Sequence, residues 1–325
     1  MRLLPLFLLV ALVSCASPPK QMTVIAHRGA SGYLPEHTLE SAAMAHAFNP
    51  DFIEPDLVLT KDNVLVVLHD IHLDTTTNVA RLYPRKKRKD GRYYAIDFTL
   101  KQLKRLTVTE RGSHKTGKAR YAGRFPRGKS HFQIPTFREF IELVEGMNKS
   151  RKMNVGIYPE MKNPSFHRRN KKDILKETYK VLKDYGYTSG KKKIYLQCFD
   201  SSALKEFKKR YNPKFPLVQL IGDNSWKESP DDYKKMLTPK GLKDVATYAQ
   251  GIGPWFPQLI QPVGRSYRIT PLAKVAKSLG LRIHTYTMRE DSLPEYVDSI
   301  KGLSVILSRE GVDGVFTDFP DKIRE

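Results

Sequence analysis

Histidine, arginine and carboxylate side chains follow several apolar runs of the sequence, at spacings that suit acid–base and metal chemistry. In the segment 25–38, His27 and Arg28 come directly after an apolar run, and two glycines follow them. Glycine lets a backbone turn tightly and approach a ligand closely. An imidazole exchanges protons near neutral pH, and a guanidinium offers a planar fork for phosphate. The segment therefore indicates a catalytic site that handles an anion, although a His-Arg pair after a strand is also common in purely structural roles.

Two carboxylates, Glu54 and Asp56, lie two positions apart within the apolar run 52–59. Residues two apart in a strand share one face, so both carboxylates occupy one small space. Like charges this close repel unless a cation or a proton lies between them, and oxygen ligands suit Ca²⁺ or Mg²⁺ better than zinc. Pro55 cannot donate a ladder hydrogen bond, which predicts a bulge or a strand end between them.

A second histidine is expected to return to the same place. The turn-like residues 60–63 predict an antiparallel hairpin, which brings His69 roughly opposite Glu54. Asp70 follows it directly and is positioned to fix the tautomer of the imidazole. Taken alone, a histidine that merely closes a hairpin is the simpler interpretation.

Another apolar run ends with an acid and a base, Glu160 and Lys162. Glu160 would complete a three-carboxylate cation site, and Lys162 would add positive charge for a phosphate. A solvated ion pair is the simpler alternative. Because acids and bases recur together at several strand ends, we favour a single site that contains them all.

Nine strand-like apolar runs alternate with helical or polar segments, a pattern typical of repeated βα units and a parallel sheet. They span 23–26, 52–59, 64–68, 155–160, 194–199, 217–221, 251–255, 282–287 and 314–317. The turn between the second and third runs is too short for a parallel crossover, so eight strands remain for a barrel. Thr38, Thr99 and Thr136 are expected helix N-caps. We predict an α/β fold, a (β/α)₈ TIM barrel with its active groups at the carboxyl ends of the strands.

A long basic segment, about 78–134, exceeds an ordinary βα loop and is predicted to be an insertion over the barrel mouth, after the second-strand hairpin. It contains the densest basic cluster, 81–92, which includes the basic run 85–89. The chain has 56 Lys and Arg against 34 Asp and Glu, a net charge of +22. A solvated face is the simplest interpretation of that run, and attraction to anionic lipid or substrate comes next. Nucleic acid is not expected as a partner, because the sequence shows no nucleic-acid motif.

The N-terminal residues 1–14 resemble an export signal, since an apolar stretch too short to span a bilayer comfortably follows Arg2. Its end resembles the lipobox of bacterial lipoproteins, in which Cys15 would be lipidated; an ordinary cleaved signal with a chance cysteine is the alternative. We expect a tether at 15–21, a barrel domain at 22–325, and an exported lipoprotein anchored to the membrane at the periplasmic face or the cell surface. No intramolecular disulfide is then expected, because the only other cysteine is Cys198.

The sequence as a whole resembles the bacterial glycerophosphodiester phosphodiesterases, in particular the exported branch that includes surface lipoproteins. The resemblance covers most of residues 22–322. It rests on the segment 27–38, Glu54-x-Asp56, His69-Asp70, and the segments 89–100, 158–162 and 314–320. The family is a (β/α)₈ barrel with an inserted segment after the second-strand hairpin, which agrees with the layout predicted from the residues.

The resemblance implies a role for each residue that matches a family motif. His27 and His69 would be the acid–base pair, Glu54, Asp56 and Glu160 would hold the metal, Arg28 and Lys162 would bind phosphate, and Tyr286 would line the pocket. The exported branch generally uses Ca²⁺, although the same carboxylates would accept Mg²⁺. Departures at Met161 and Thr285, where relatives often have other residues, bear on substrate fit more than on chemistry.

The implied reaction is metal-dependent hydrolysis of small glycerophosphodiesters, such as glycerophosphocholine and glycerophosphoethanolamine, to sn-glycerol 3-phosphate and an alcohol. The expected partners are that small-molecule substrate and the membrane, through the lipid anchor. Two alternatives stay open. One is phospholipase D-like action on lysolipids, against which the segment 89–100 argues; the other is a surface adhesin that binds host proteins or polyanions, and it can coexist with catalysis.

Overall fold

The computed structural model describes residues 22–324, so Cys15 and the predicted signal and tether lie outside the described part of the chain. The strands are β1 (Thr23–His27), β2 (Phe52–Glu54), β3 (Asp56–Leu59), β4 (Leu65–Val67), β5 (Gly156–Ile157), β6 (Glu160–Met161), β7 (Leu196–Cys198), β8 (Leu217–Ile221), β9 (Gly251–Pro254), β10 (Ile260–Val263), β11 (Ser266–Ile269), β12 (Arg282–Met288) and β13 (Gly314–Thr317). The helices are α1 (Leu39–Ala47), α2 (Val79–Leu82), α3 (Leu100–Leu103), α4 (Phe137–Arg151), α5 (Pro164–Arg169), α6 (Ile174–Asp184), α7 (Ser201–Tyr211), α8 (Tyr233–Met236), α9 (Pro239–Ala246), α10 (Leu272–Ser278), α11 (Ile300–Arg309) and α12 (Asp321–Arg324).

Eight parallel strand positions form a closed ring. The strands β2 and β3 are two halves of one position, interrupted at Pro55, and β5 and β6 are two halves of the next, interrupted at 158–159. Going round the ring, the parallel pairs are β1 with β2, β2 with β5, β3 with β6, β6 with β7, β7 with β8, β8 with β9, β9 with β12, β12 with β13, and β13 with β1. The strand β4 pairs antiparallel with β3, as the predicted hairpin. The TIM-barrel prediction is confirmed.

The predicted and observed strands differ at two places. The run 155–160, predicted as one strand, is split, because Pro159 removes a ladder N–H at the break, whereas the break at Pro55 within 52–59 confirms the predicted strand end. The antiparallel hairpin of β10 and β11 was not predicted. Most of its side chains are exposed, so the sequence there shows no buried face to mark it.

The helices begin where the sequence predicted. Thr38, Thr99 and Thr136 each accept a hydrogen bond from the backbone N–H three residues later, and the last two complete reciprocal capping boxes. The larger helices lie outside the barrel and pack their apolar sides on the outward faces of the strands in one continuous hydrophobic core. None of the described helices is long and apolar enough to cross a bilayer.

A layer of mostly aromatic side chains fills the floor of the barrel. It consists of Ile25, Phe52, Tyr158, Tyr195, Val218 and Phe316. Strand side chains alternate, so the residue two positions later on each strand lies one layer nearer the carboxyl end and faces the same interior. These residues are His27, Glu54, Glu160, Gln197, Leu220 and Asp318, and each borders a cavity at the mouth. Because side chains two positions apart on a strand face the same way, a layer of mostly polar residues lies directly above the apolar layer.

The segment 71–134, which we call the cap, lies between β4 and α4 and contains the short helices α2 and α3. It has its own apolar cluster, shared with the outward face of the β3–β4 hairpin. The members are Val58, Val66, Leu68, Leu73, Val79, Tyr93, Ala95, Phe98, Leu103, Leu106, Val108, Phe132 and Ile134. The cap therefore packs as a unit, and its packing begins about five residues before the predicted start of the insertion at 78.

The basic run 85–89 is only partly the solvated face that its composition predicts. Arg85, Lys87 and Lys89 are exposed, but Lys86 and Arg88 turn inward within the cap. Arg88 donates two hydrogen bonds of 2.7 Å to the carboxylate of Asp97 and lies over an aromatic ring. Part of the charge in this run is therefore used to hold the cap together.

Candidate active site

Three buried carboxylates, those of Glu54, Asp56 and Glu160, meet at the barrel mouth with ligand oxygens all within 4.8 Å of one another. The strand register sets Asp56 directly beside Glu160. Burial and the neighbouring negative charges raise the pKa of Glu54 and of Glu160 above the usual range. The Oδ1 atom of Asp56 is buried and has no hydrogen-bond partner among the described residues. An all-oxygen donor set with an unsatisfied buried oxygen fits Ca²⁺ or Mg²⁺.

Basic side chains surround this triad. The Nζ of Lys162 lies 2.8 Å from Oε1 of Glu160 and 3.6 Å from Oε2 of Glu228. The Nε2 of His37 lies 2.7 Å from Oδ2 of Asp56. Burial opposes the charge on Asp56, but Lys162 and the nearby histidines hold the pKa of Asp56 well below its usual range. Asp56 is therefore the member of the triad whose charged form its neighbours favour most.

The backbone after β1 turns sharply to bring Arg28 into the site. Arg28 has a φ of 61°, a conformation that non-glycine residues adopt rarely and often at functional sites. Its backbone N–H donates to Oε2 of Glu54 at 2.8 Å, and its Nε donates to Nε2 of His27 at 3.2 Å. Gly29 follows with a φ of 88°, and a Cβ atom there would lie 2.9 Å from the carbonyl oxygen of Ser41. The predicted need for a glycine at this turn has a steric cause.

The imidazole of His27 is held by a carboxylate from the neighbouring strand position. Its Nδ1 lies 2.6 Å from Oδ1 of Asp318, whose Oδ2 accepts from Arg124 at 2.7 Å and from Arg289 at 2.8 Å. Burial, reinforced by the charge of Arg28, lowers the pKa of His27 to about 3. The ring is therefore neutral at pH 7, with its proton on Nδ1 and the Nε2 lone pair directed away from the carboxylate.

The imidazole of His69 is held in the same manner. Its Nδ1 lies 2.5 Å from Oδ1 of Asp70, whose Oδ2 accepts from Arg111 at 2.8 Å and from the Thr75 hydroxyl at 2.7 Å. Burial, followed by the charges of Arg28 and Lys162, lowers the pKa of His69 to about 4. The two histidines thus form two separate histidine–aspartate pairs, each supported by arginine.

One supporting arginine of each pair comes from the cap. Arg111 donates to Asp70 and also makes a two-pronged contact with Glu36, at 2.6 and 2.8 Å. Arg124 donates to Asp318, makes a similar contact with Asp291, and is almost fully buried. These ion pairs fasten the cap to the barrel mouth at the two points where the histidines are oriented.

A pocket of about 370 Å³ opens above the triad. One wall is polar and includes His27, Arg28 and His69. The other wall is aromatic and is formed by Phe199, Trp226, Trp255 and Tyr286. The Tyr286 hydroxyl donates to the carbonyl of Ile221 at 2.8 Å, and its ring meets that of Phe199 edge-on at 5.8 Å. A fixed apolar surface therefore faces the charged groups across the pocket.

The structure brings all the predicted site residues of its described range to this one mouth. His69 was predicted to lie opposite Glu54. When the observed pairing of β3 with β4 is extended by two residues, His69 lies opposite Pro55, one residue from the predicted position. The roles of these residues in catalysis stay predictions. Residues that the sequence reasoning did not assign to the site are Glu36, His37, Arg111, Arg124, Gln197, Phe199, Trp226, Glu228, Trp255, Arg289 and Asp318. Gln197 and Asp318 carried a usable signal because they occupy the same interior layer as His27, and Glu36 and His37 carried one because they lie within the segment 25–38 that the sequence analysis singled out.

Comparisons with known proteins point to one family. A family model described as the glycerophosphoryl diester phosphodiesterase family matches residues 27–322. A glycerophosphodiester phosphodiesterase of Haemophilus influenzae is 46% identical, over 92% of this chain and 87% of the relative. One from Treponema pallidum is 35% identical, over 94% of this chain and 91% of the relative.

Solved structures share the fold. The structure of an Oleispira antarctica phosphodiesterase in complex with the product sn-glycerol-3-phosphate superposes with a TM-score of 0.62, at 21% identity, covering 93% of this chain and 95% of that one. A structure described as a glycerophosphoryl diester phosphodiesterase from Silicibacter pomeroyi gives a TM-score of 0.69 at 23% identity, covering 94% and 93%. At these identities the likeness concerns the fold alone.

Proposed function

The chain belongs to the glycerophosphoryl diester phosphodiesterase family and is an enzyme of that type, and from this premise we propose that it hydrolyses small, soluble glycerophosphodiesters in a divalent-metal-dependent reaction. The proposed substrates are glycerophosphocholine, glycerophosphoethanolamine and similar diesters, and the products are sn-glycerol 3-phosphate and the head-group alcohol. The observation that supports this best is the meeting of three buried carboxylates and two aspartate-bonded histidines around one pocket. The product complex of the Oleispira antarctica relative is consistent with it.

We propose that Glu54, Asp56 and Glu160 hold the metal, with Ca²⁺ as the physiological ion and Mg²⁺ as the alternative. The raised pKa values of two of these carboxylates and the unsatisfied oxygen of the third support a cation at this position. A bound cation would supply positive charge to the phosphate oxygens. Arg28 and Lys162 would add further charge from the two sides of the triad.

The chemical problem is that a phosphodiester anion repels nucleophiles and has a poor leaving group. We propose that one histidine removes a proton from the nucleophile and the other donates a proton to the leaving alcohol. Both imidazoles are neutral at pH 7 in the free enzyme. The bound anion would favour protonation of one of them, since a nearby opposite charge stabilises the imidazolium. A general acid or base of this kind typically accelerates a reaction by a factor of roughly 10² to 10⁴.

The test is release of sn-glycerol 3-phosphate from glycerophosphocholine by the purified chain, after EDTA treatment and then with Ca²⁺ or Mg²⁺ added back. We expect activity only with a divalent ion, and a loss of at least about 10²-fold in His27→Ala. His114→Ala, an exposed histidine of the cap, is the matched control and should keep full activity. A folded protein that releases no product with either ion would overturn the proposal.

We also propose that the chain is an exported lipoprotein, anchored to a membrane through Cys15. Support comes from the apolar N-terminal stretch and the lipobox that ends at Cys15. Metabolic labelling with a fatty-acid analogue should mark the wild-type chain and the Cys198→Ala control, but not Cys15→Ala. Retention of the label in Cys15→Ala would contradict this localisation.

Neither alternative function is supported by the two curated relatives described above, since both bear the phosphodiesterase name. Parallel assays with glycerophosphocholine and lysophosphatidylcholine address the lipid alternative directly. We expect cleavage of the first and at most trace cleavage of the second. A lysolipid that reacts at a comparable rate would replace the proposed substrate class.

A further inference from the structure

The aromatic wall of the pocket contains an open corner formed by two tryptophans, Trp226 and Trp255. Both line the same pocket as the two histidines and two of the triad carboxylates, Glu54 and Glu160. Their ring centroids are 5.2 Å apart and the ring planes meet at 65°. Trp226 is 41% exposed, although tryptophan is one of the largest apolar side chains and is buried on average. The corner thus presents indole surface to the pocket instead of burying it in the core.

The loop after β8 holds this corner in place. A Cβ atom at Gly222 would lie 3.0 Å from the Trp226 ring and 3.3 Å from the Phe199 ring, so glycine makes room for both rings. The side chain of Asn224 braces the loop, because its Oδ1 accepts from the backbone N–H of Tyr233 at 2.8 Å and its Nδ2 donates to an aspartate at 3.0 Å. The exposed indole is therefore positioned by the backbone.

A carboxylate lies beside the corner. Glu228 is two residues after Trp226, and outside the metal triad it is the one carboxylate among the described residues that line this pocket. The charge of Lys162 lowers the pKa of Glu228, so it is an anion at neutral pH. Its contact with Lys162 is long, at 3.6 Å, because that ammonium lies closer to Glu160. Glu228 therefore keeps attraction for a second cation in the pocket.

We propose that Trp226, Trp255 and Glu228 form the head-group subsite of the pocket, and that the subsite selects a quaternary ammonium alcohol as the leaving group. The inference rests on the proposed phosphodiesterase function and specifies its substrate class. A quaternary ammonium has no N–H to donate, so ring faces and a nearby negative charge are what can recognise it. The same pocket is also lined by Arg28, Glu54 and Glu160, beside which the phosphate would lie.

The rival explanation is that the aromatic wall merely contacts carbon atoms of the substrate. A wall that recognises shape alone would bind a charged head group and its uncharged isostere with similar affinity, whereas the proposed subsite would bind the charged one more tightly. The two tryptophans are the only ones in the chain, so intrinsic tryptophan fluorescence reports on this corner alone. Binding can therefore be followed without metal and without turnover.

The first experiment titrates the full chain with choline and with its uncharged isostere 3,3-dimethyl-1-butanol. We expect choline to change the emission with at least about tenfold tighter apparent binding than the isostere, in line with a partly desolvated cation–π contact. Glu228→Gln should weaken choline binding and reduce this difference. Equal binding of the two compounds, or a difference that survives in Glu228→Gln, would overturn the proposal.

The second experiment compares kcat/KM for glycerophosphocholine and for glycerophosphoglycerol, which has an uncharged head group. The ratio should favour glycerophosphocholine in the wild type and fall about tenfold in Trp226→Leu and in Glu228→Gln. Tyr267→Leu is the control, an exposed aromatic residue on the β10–β11 hairpin, and should leave the ratio unchanged. An unchanged ratio in the pocket variants refutes the subsite alone. No product from either diester in the wild type refutes the underlying phosphodiesterase function.

Discussion

The barrel and the cap contribute different things to one site. The barrel strands carry the carboxylate triad and His27 at positions set by the period of the sheet. The cap contributes Arg111 and Arg124, which reach the aspartates that hold the two histidines. Reactive groups thus lie on the barrel or at its edge, while their orientation depends partly on ion pairs made by an inserted segment. We therefore expect substitutions of the reactive barrel residues to abolish the reaction and substitutions of the cap arginines to weaken it.

The largest effect is expected from a barrel carboxylate. Glu54→Gln removes a charged ligand oxygen from the triad, so Ca²⁺ binding measured by calorimetry should be lost and kcat should fall by roughly 10³-fold. Glu142→Gln, on the exposed side of α4, is the control and should bind Ca²⁺ like the wild type. Normal calorimetric binding by Glu54→Gln would remove Glu54 from the metal site.

The next effect is expected where the two regions meet. Asp318→Asn keeps the shape of the side chain but removes the charge that holds the Nδ1 proton of His27. We expect a fall of about 10²-fold in kcat with KM within about threefold, since a wrongly oriented imidazole affects chemistry more than binding. Asp291→Asn removes the other carboxylate partner of Arg124 without touching His27, and should cost less than threefold. Equal losses in the two variants would mean that Asp318 acts only by fastening the cap.

A smaller and unequal effect is expected from the cap arginines. Asp318 keeps Arg289 as a partner when Arg124 is removed, whereas Asp70 loses the one arginine that hydrogen-bonds to it among residues 22–324 when Arg111 is removed. Arg124→Met should therefore lower kcat by about threefold and Arg111→Met by about tenfold or more.

Arg111→Met also leaves the buried carboxylate of Glu36 without its two-pronged partner, so its melting temperature must be measured beside its kinetics. Arg111→Lys, which restores one positive charge, should recover part of the activity. A folded Arg111→Met variant with wild-type kcat would show that the cap does not orient His69.

The smallest effect on catalysis is expected from a carboxyl group buried in the cap. Burial, and then the Glu36 carboxylate, raises the pKa of Glu110 to about 7, whereas an unfolded glutamate has a pKa of about 4.3. Between these two values the folded state binds more protons than the unfolded state, so this group costs stability as the pH rises through that window. Glu110→Gln cannot ionise. It should melt a few degrees above the wild type at about pH 8 and close to it at about pH 5, with unchanged kcat. A gain of equal size at both pH values would contradict this assignment.

The sequence allowed the barrel side to be predicted because its signals are local. Apolar runs, N-cap threonines and Pro55 each fix structure within a few residues, and the period of two then places Glu54 in the same layer as His27. Applied from the apolar floor upward, the same rule would also have found Asp318, two positions after Phe316.

The cap side could not be predicted in this way. Arg124 reaches Asp318 across 194 positions of sequence, and Arg111 reaches Asp70 across 41. The cap has little regular secondary structure, so its basic residues follow no period that would separate an inward arginine from an exposed one. Trp226 is a similar case, because it lies in a loop and its exposure is decided by packing around a glycine.

The cap leaves the barrel and rejoins it at almost the same point. The backbone N–H of Val67 donates to the carbonyl of Pro135 at 2.9 Å, and Val66 pairs with Thr136 in an antiparallel bridge. Topologically the whole segment is one long hairpin connection whose ends are already joined. We therefore expect that the length and surface charge of the cap can be changed without a change in the number or spacing of the barrel strands, provided that the arginine contacts to Asp70 and Asp318 are kept.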